Sequence, residues 1–166
     1  TTCTCNPYFF LIFRHNLVIY YFMTKNKYLS LALILIITFS ASLIGGFITS
    51  YNKEPWYSQI ILPSFNPPSW IFGPIWSMLY LMMSVGAWLT WINNFNKKQL
   101  NIYFVHVFFN ATWSIIFFGF HRIDLALLNL IIILLFILIL MKIYFTESKI
   151  SFYLFIPYFV WSSYAL

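Results

Sequence analysis

Groups able to perform acid–base or hydrolytic chemistry are few in this sequence, and groups able to stack are many. Three acids, Glu54, Asp124 and Glu147, stand far apart in the chain, and no two of them flank a common point. No Ser–His–acid set and no glycine-rich phosphate loop is found. Against this stand 20 Phe, 12 Tyr and 7 Trp, 23% of 166 residues. Several recur at helical spacing. Gly73, Trp76, Tyr80, Met83 and Ala87 share one face. His106, Asn110, Trp113 and Phe117 share another, with Ser114 beside them, and Tyr158, Trp161 and Ala165 line up near the end. Such faces mix flat π surfaces with a few hydrogen-bonding groups, the make-up of a site for a flat apolar molecule. The plainer reading of the same spacing is that the rings fill a helical bundle, with small residues permitting close approach. His106 reads as a packed, hydrogen-bonded imidazole rather than a haem ligand. Acid–base catalysis is disfavoured, and no metal site or required cofactor is expected.

What must position these faces is a membrane bundle. The chain is 62% hydrophobic and 7% charged, where soluble domains carry about 25% charge. Apolar runs at about residues 28–49, 69–91, 102–120, 125–145 and 150–166 are each long enough, or nearly so, to cross about 30 Å of hydrocarbon. Period-two alternation is absent, which argues against a β-barrel. The expected fold is therefore all-α: five transmembrane helices, with a structured loop between the first and second. Asp124 stands where an N-cap would open the fourth span. That span, aliphatic apart from Asn129, reads as scaffold. Residues 1–27 read as an N-terminal extension outside the fold, residues 28–166 as the domain. The last span, still running at Leu166, reads as truncated. Cys3 and Cys5 are separated by one residue, a poor geometry for a disulfide, and no ligand set accompanies them.

The net charge of +6 is spread singly or in pairs between apolar runs, with no basic patch for nucleic acid. Lys25, Lys27, Lys97, Lys98, Lys142 and Lys149 would share one side of the bundle, and only Lys53 and Arg122 the other. Six against two places the N-terminus in the cytoplasm and the first loop outside. Abundant Ile, Asn, Lys and Phe suit an AT-rich genome and lean towards a bacterial cell membrane over an organelle.

The loop carries five prolines within residues 54–74, so much of its backbone is pre-ordered without regular hydrogen bonding. Trp56, Tyr57, Phe65 and Trp70 give it the apolar mass of a lid packed on the bundle mouth; the plainer reading is an interfacial belt of Trp and Tyr anchoring a connector. The Trp56-Tyr57 pair, Pro63, the run Pro67-Pro68-x-Trp70-x-Phe-Gly73-Pro74-x-Trp76-x-x-Leu79-Tyr80 and the five spans resemble the TspO/MBR family, the tryptophan-rich sensory and translocator proteins. Asn110-x-x-Trp113-Ser114-x-x-Phe117-Phe118-Gly119 and Pro157-Tyr158-x-x-Trp161-Ser162-x-x-Ala165 carry the same resemblance. The chain departs from the family pattern at Leu62, Phe65 and Asn129, and sterol binding is not carried over.

The resemblance implies a membrane protein that pairs with a second copy of itself as a homodimer, and a pocket under the first loop. That pocket would take tetrapyrroles, porphyrin or haem-like, in sensing, regulation or transport. By motif position its residues are Tyr57, Pro67, Trp76, Tyr80, Asn110, Trp113, Ser114, Phe117, Trp161 and Ala165. Lys53, Tyr57 and Asn66 are candidate donors to ligand carboxylates. It also implies a second activity, light-dependent breakdown of protoporphyrin through Trp76 and Trp161. The remaining alternative is a structural membrane subunit without ligand.

Overall fold

The computed structural model describes Tyr20 and residues 23–166. Among the described residues, five long helices follow one another: α1 (Lys27–Asn52), α2 (Ser69–Asn94), α3 (Lys97–Ser114), α4 (Ile123–Glu147) and α5 (Lys149–Tyr164). The Asn26 carboxamide starts α1 by accepting the N–H groups of Tyr28 and Leu29 at 3.0 and 3.3 Å. Asn96 does the same for α3 through the Gln99 N–H at 3.1 Å. That cap moves the start of the third helix from the expected residue 102 back to Lys97, because Asn96 begins a helix instead of extending a loop. α2 stops where Phe95 turns left-handed at φ 47°. Asp124 is not the N-cap of α4: it lies in the first turn, and its carboxylate takes two hydrogen bonds from Arg122 at 2.9 and 2.6 Å.

Around the bundle the order is α1, α2, α5, α4, α3, each packed on the next and α3 closing against α1. Four segments, Lys27–Asn52, Ser69–Asn94, Lys97–Gly119 and Ile123–Glu147, are long and apolar enough to cross a bilayer. With 16 residues, α5 spans about 24 Å. Hydrocarbon offers no partner to a stray hydroxyl, and the helices meet that constraint locally. Ser40, Thr49, Ser77, Ser84 and Thr90 each donate to the carbonyl four residues back.

The packed body begins earlier than residue 28. Met23 is 1% exposed, its carbonyl faces the Trp91 indole N–H at 3.5 Å, and Tyr20 lies against the Trp91 ring. Residues 1–19, 21 and 22 of the expected extension lie outside the described residues. The end of the bundle bearing Lys27, Lys97 and Lys149 is closed: Trp91, Leu100, Tyr103, Tyr144 and Phe155 are fully buried. A Cβ on Gly86 of α2 would meet the Phe155 ring of α5 at 3.3 Å, so these two helices approach as near as a bare glycine allows.

Candidate aromatic site beneath the first loop

The opposite end is built differently. Between α1 and α2 the chain makes a short 3-10 turn at Tyr57–Gln59 and then runs extended through its prolines. It is tied down at three places. Trp56 stacks on His121 with ring centres 4.5 Å apart and meets Phe117 edge-on at 5.2 Å. Tyr57 rests against Phe117 and Phe118. The Tyr164 hydroxyl donates to the Phe65 carbonyl at 2.6 Å. The loop is therefore ordered against the ends of α3 and α5, as its prolines and aromatics led one to expect.

Beneath it lie two sets of rings. Trp113 of α3 and Phe117 just beyond it are stacked nearly parallel, 9° apart with centres at 4.9 Å, and Phe118 meets both edge-on. Phe117 and Phe118 belong to a wide π-type turn, Ile115–Gly119, that follows α3. Two of its hydrogen bonds mark the wider path: Phe120 N–H to Ile115 O at 3.0 Å and Arg122 N–H to Ile116 O at 3.2 Å. This turn lets two consecutive phenylalanines reach Tyr57. Nothing in the residue spacing announces it.

The second set forms a seam between α2 and α5. Phe72 meets Trp161 at 5.9 Å, and one turn further Trp76 meets Tyr158 at 6.3 Å and Tyr80 at 5.7 Å. At the foot of the seam the Tyr80 hydroxyl donates to Asn110 Oδ1. Asn110 Nδ2 donates to the Tyr158 hydroxyl at 2.5 Å, and His106 Nε2 lies 2.8 Å from that same oxygen. His106 is thus a packed, hydrogen-bonded side chain, as expected. Phe39 of α1 closes over Tyr80 at 6.3 Å.

Of the ten residues singled out from the sequence, Trp76, Tyr80 and Asn110 meet directly or through one neighbour on the α2–α5 seam, where Trp161 lies one turn above. Tyr57, Trp113 and Phe117 form the set under the loop. Ser114 lies on α3 where α1 comes closest: a Cβ on Gly45 would sit 3.0 Å from Ser114 Oγ. Pro67 is half-buried in the extended approach to α2, and Ala165 is exposed beyond the end of α5. The structure does not bring Ala165 to the rings. Trp56, Phe72, Phe118 and Tyr158 belong with the site and were missing from the ten. Phe72 was findable, since it precedes Trp76 and Tyr80 by four and eight residues; Trp56 and Phe118 depend on the loop path and the wide turn.

Trp76, Trp113, Phe117 and Trp161 are all half-buried, in contrast to the fully buried rings at the closed end. Among the described residues, the indole N–H groups of Trp76, Trp113 and Trp161 meet no acceptor, an arrangement that leaves donors as well as π faces for a bound molecule. Charge is confined to the rim, where Lys53 Nζ lies 3.1 Å from Ser69 Oγ and 5.1 Å from the centre of the Tyr57 ring. Within the described residues no cluster of metal-binding side chains is present.

The chain matches the TspO/MBR family over residues 16–166. It is 31% identical over 128 residues to the tryptophan-rich protein TspO of Archaeoglobus fulgidus, covering 73% of this chain and 80% of that one. The protein of the same description in Chlorobaculum tepidum is 28% identical over 145 residues, 85% and 92% of the two chains. The human translocator protein is 35% identical over 83 residues, 47% of this chain and 49% of its own. With the apolar helices and the ordered first loop, these matches identify a multi-pass integral membrane protein, and the chain belongs to the TspO/MBR family.

Proposed function

We propose that the protein binds tetrapyrroles and related flat, hydrophobic molecules at the aromatic end of the bundle, in tetrapyrrole sensing, regulation or transport. The observation that carries this reading is the concentration of half-buried rings from α2, α3, α5 and the loop at one end, with unpartnered indole donors among them. A tetrapyrrole is a broad π-system edged by carboxylates. Stacked indole and phenol planes suit its body, and Lys53, Tyr57 and Asn66 at the rim suit its acids. Among the described residues no Asp, Glu or Arg lies among these rings and Lys53 stays at their rim, so no carboxylate is placed to couple binding to an ion gradient, which favours binding or sensing over driven transport.

Titrating protoporphyrin onto the detergent-solubilised protein, with tryptophan fluorescence as the signal, tests the reading. Saturable quenching is expected, and Trp113→Leu and Trp76→Leu should each weaken it by about tenfold, on the scale of one good aromatic contact. Quenching that rises linearly without saturation would overturn it.

One observation favours a second reading, light-dependent breakdown of protoporphyrin. Trp76 and Trp161 both border the α2–α5 seam, one helical turn apart through Phe72. Illuminated protein should then bleach the porphyrin absorbance faster than a Trp76→Phe, Trp161→Phe double variant does; equal rates would dismiss it. We place the protein in a bacterial cell membrane, as a homodimer, with the lysine-bearing end cytoplasmic; the lysine asymmetry supports that orientation.

A further inference from the structure

The hydrogen bonds at the foot of the α2–α5 seam form a chain with a direction. Tyr80 donates to Asn110 Oδ1, and the other half of the same carboxamide donates to Tyr158. Tyr158 keeps its own hydroxyl hydrogen, and two acceptors are within reach: His106 Nε2 at 2.8 Å and the Ser162 hydroxyl one turn along α5. Ser162 is itself buried. If Nε2 accepts, the imidazole proton sits on Nδ1, which is buried without a partner. Four side chains on α2, α3 and α5 are joined in series, each polarising the next. His106 is 0% exposed, and Tyr80 and Asn110 are each 6% exposed.

This chain holds in place the two phenol rings on which Trp76 rests. A half-buried indole against a single ring would be free to rock; against Tyr80 at 34° and Tyr158 at 68° it sits in a corner. That corner is fixed only while both hydroxyls stay on Asn110, and Tyr158 stays there only while its hydrogen has an acceptor. A hydrocarbon at position 106 would leave Ser162 as the one acceptor for that hydrogen, and redirecting the hydroxyl to it would turn the Tyr158 ring out of the corner.

The geometry assigns Tyr158 and His106 as positioning residues that pre-set the Trp76 plane for its ligand, an assignment that rests on the aromatic end being a ligand site. Preorganisation of this kind acts on affinity by removing an ordering cost at the moment of binding.

The test reads the ring and the ligand separately. With 5-fluorotryptophan incorporated, the ¹⁹F resonance of Trp76, assigned through Trp76→Phe, should be single and sharp in the wild type. It should shift and broaden in His106→Phe and in Tyr158→Phe. His106→Gln, whose carboxamide oxygen can accept from Tyr158, should restore it. Protoporphyrin affinity should fall about three- to tenfold in the first two variants, the range of one lost hydrogen bond, and return to within about twofold in the third. In ¹⁵N-histidine-labelled protein, the resonances that vanish in His106→Gln should be those of a neutral ring protonated on Nδ1. An unchanged Trp76 resonance in a folded Tyr158→Phe protein, or a His106 proton on Nε2, overturns the assignment. Broadening of Trp76 without saturable protoporphyrin binding in any form, wild type included, would uphold the positioning role and reject the tetrapyrrole instead. Should His106→Phe fail to fold, Tyr158→Phe and His106→Gln still decide the matter.

Discussion

The two ends of the bundle use the same residue types for different purposes. At the lysine-bearing end, Trp91 and Tyr144 are fully enclosed and their polar atoms are used inside the protein. Trp91 N–H faces the Met23 carbonyl, and the Tyr144 hydroxyl accepts from Gln99 at 2.9 Å. Thr90 and Ser151 join α2 to α5 there through a hydroxyl bond of 2.9 Å. At the loop end every residue from 111 to 119 is half-buried. Its indoles touch other rings rather than acceptors. An aromatic residue whose polar atom is satisfied within the fold is core; one that keeps its polar atom free beside other rings is available to a partner. Neither composition nor helical spacing separates the two, because both ends are rich in Trp, Tyr and Phe.

The largest expected effect that would break this comparison comes from truncating one ring at each end. Trp91→Ala should cost about 3–5 kcal/mol, the range for emptying a packed aromatic site, and Trp113→Ala less than half as much, both followed by thermal unfolding in detergent. Equal losses would mean that the loop end is core as well. A smaller effect sharpens the picture at the seam between α1 and α3. Gly45→Ala would press a methyl against Ser114 Oγ, whereas a Cβ on the neighbouring Gly46 meets nothing within 4 Å. The first change should destabilise by about 1–3 kcal/mol, with part of the loss recovered by adding Ser114→Ala. Gly46→Ala should be neutral or gain up to about 1 kcal/mol from helix propensity. Smallest of all, Tyr164→Phe removes the bond to the Phe65 carbonyl and should cost at most about 1 kcal/mol overall. Its signature would be local: faster amide hydrogen exchange across residues 57–68, with the closed end unchanged.

Much of this architecture was legible from residue order. Tyr80, Met83 and Ala87 were placed on one face and are all buried; Trp113 and Phe117 were placed together and are stacked. Those inferences succeeded because a regular helix repeats its faces, and because hydrocarbon leaves a polar group few alternatives to a neighbour. They failed where the backbone leaves regularity. The start of α3 was misjudged because a cluster of Asn and Lys reads as loop until one asparagine is seen to cap. The burial of Met23 depends on Trp91, 68 residues away, and sequence spacing carries no information about such pairs. Ala165 shares the α5 face with Trp161 on paper, yet lies past the last helical turn and stays exposed.

The wide turn at Ile115–Gly119 has a consequence beyond bringing two phenylalanines to the loop. One surplus residue advances everything after it by about 100° around the helix axis relative to regular winding. It therefore works as a phase adjuster between two jobs that one rod could not serve together. Upstream, Asn110 stays buried between Tyr80 and Tyr158; downstream, His121 is delivered to Trp56. The same offset precedes α4, which Asn129 fastens to α3 at the Phe109 carbonyl, 3.0 Å away. Removing a single residue there would set the loop anchor and that fastening against each other, so the length of this short segment matters more than the identity of most side chains within it.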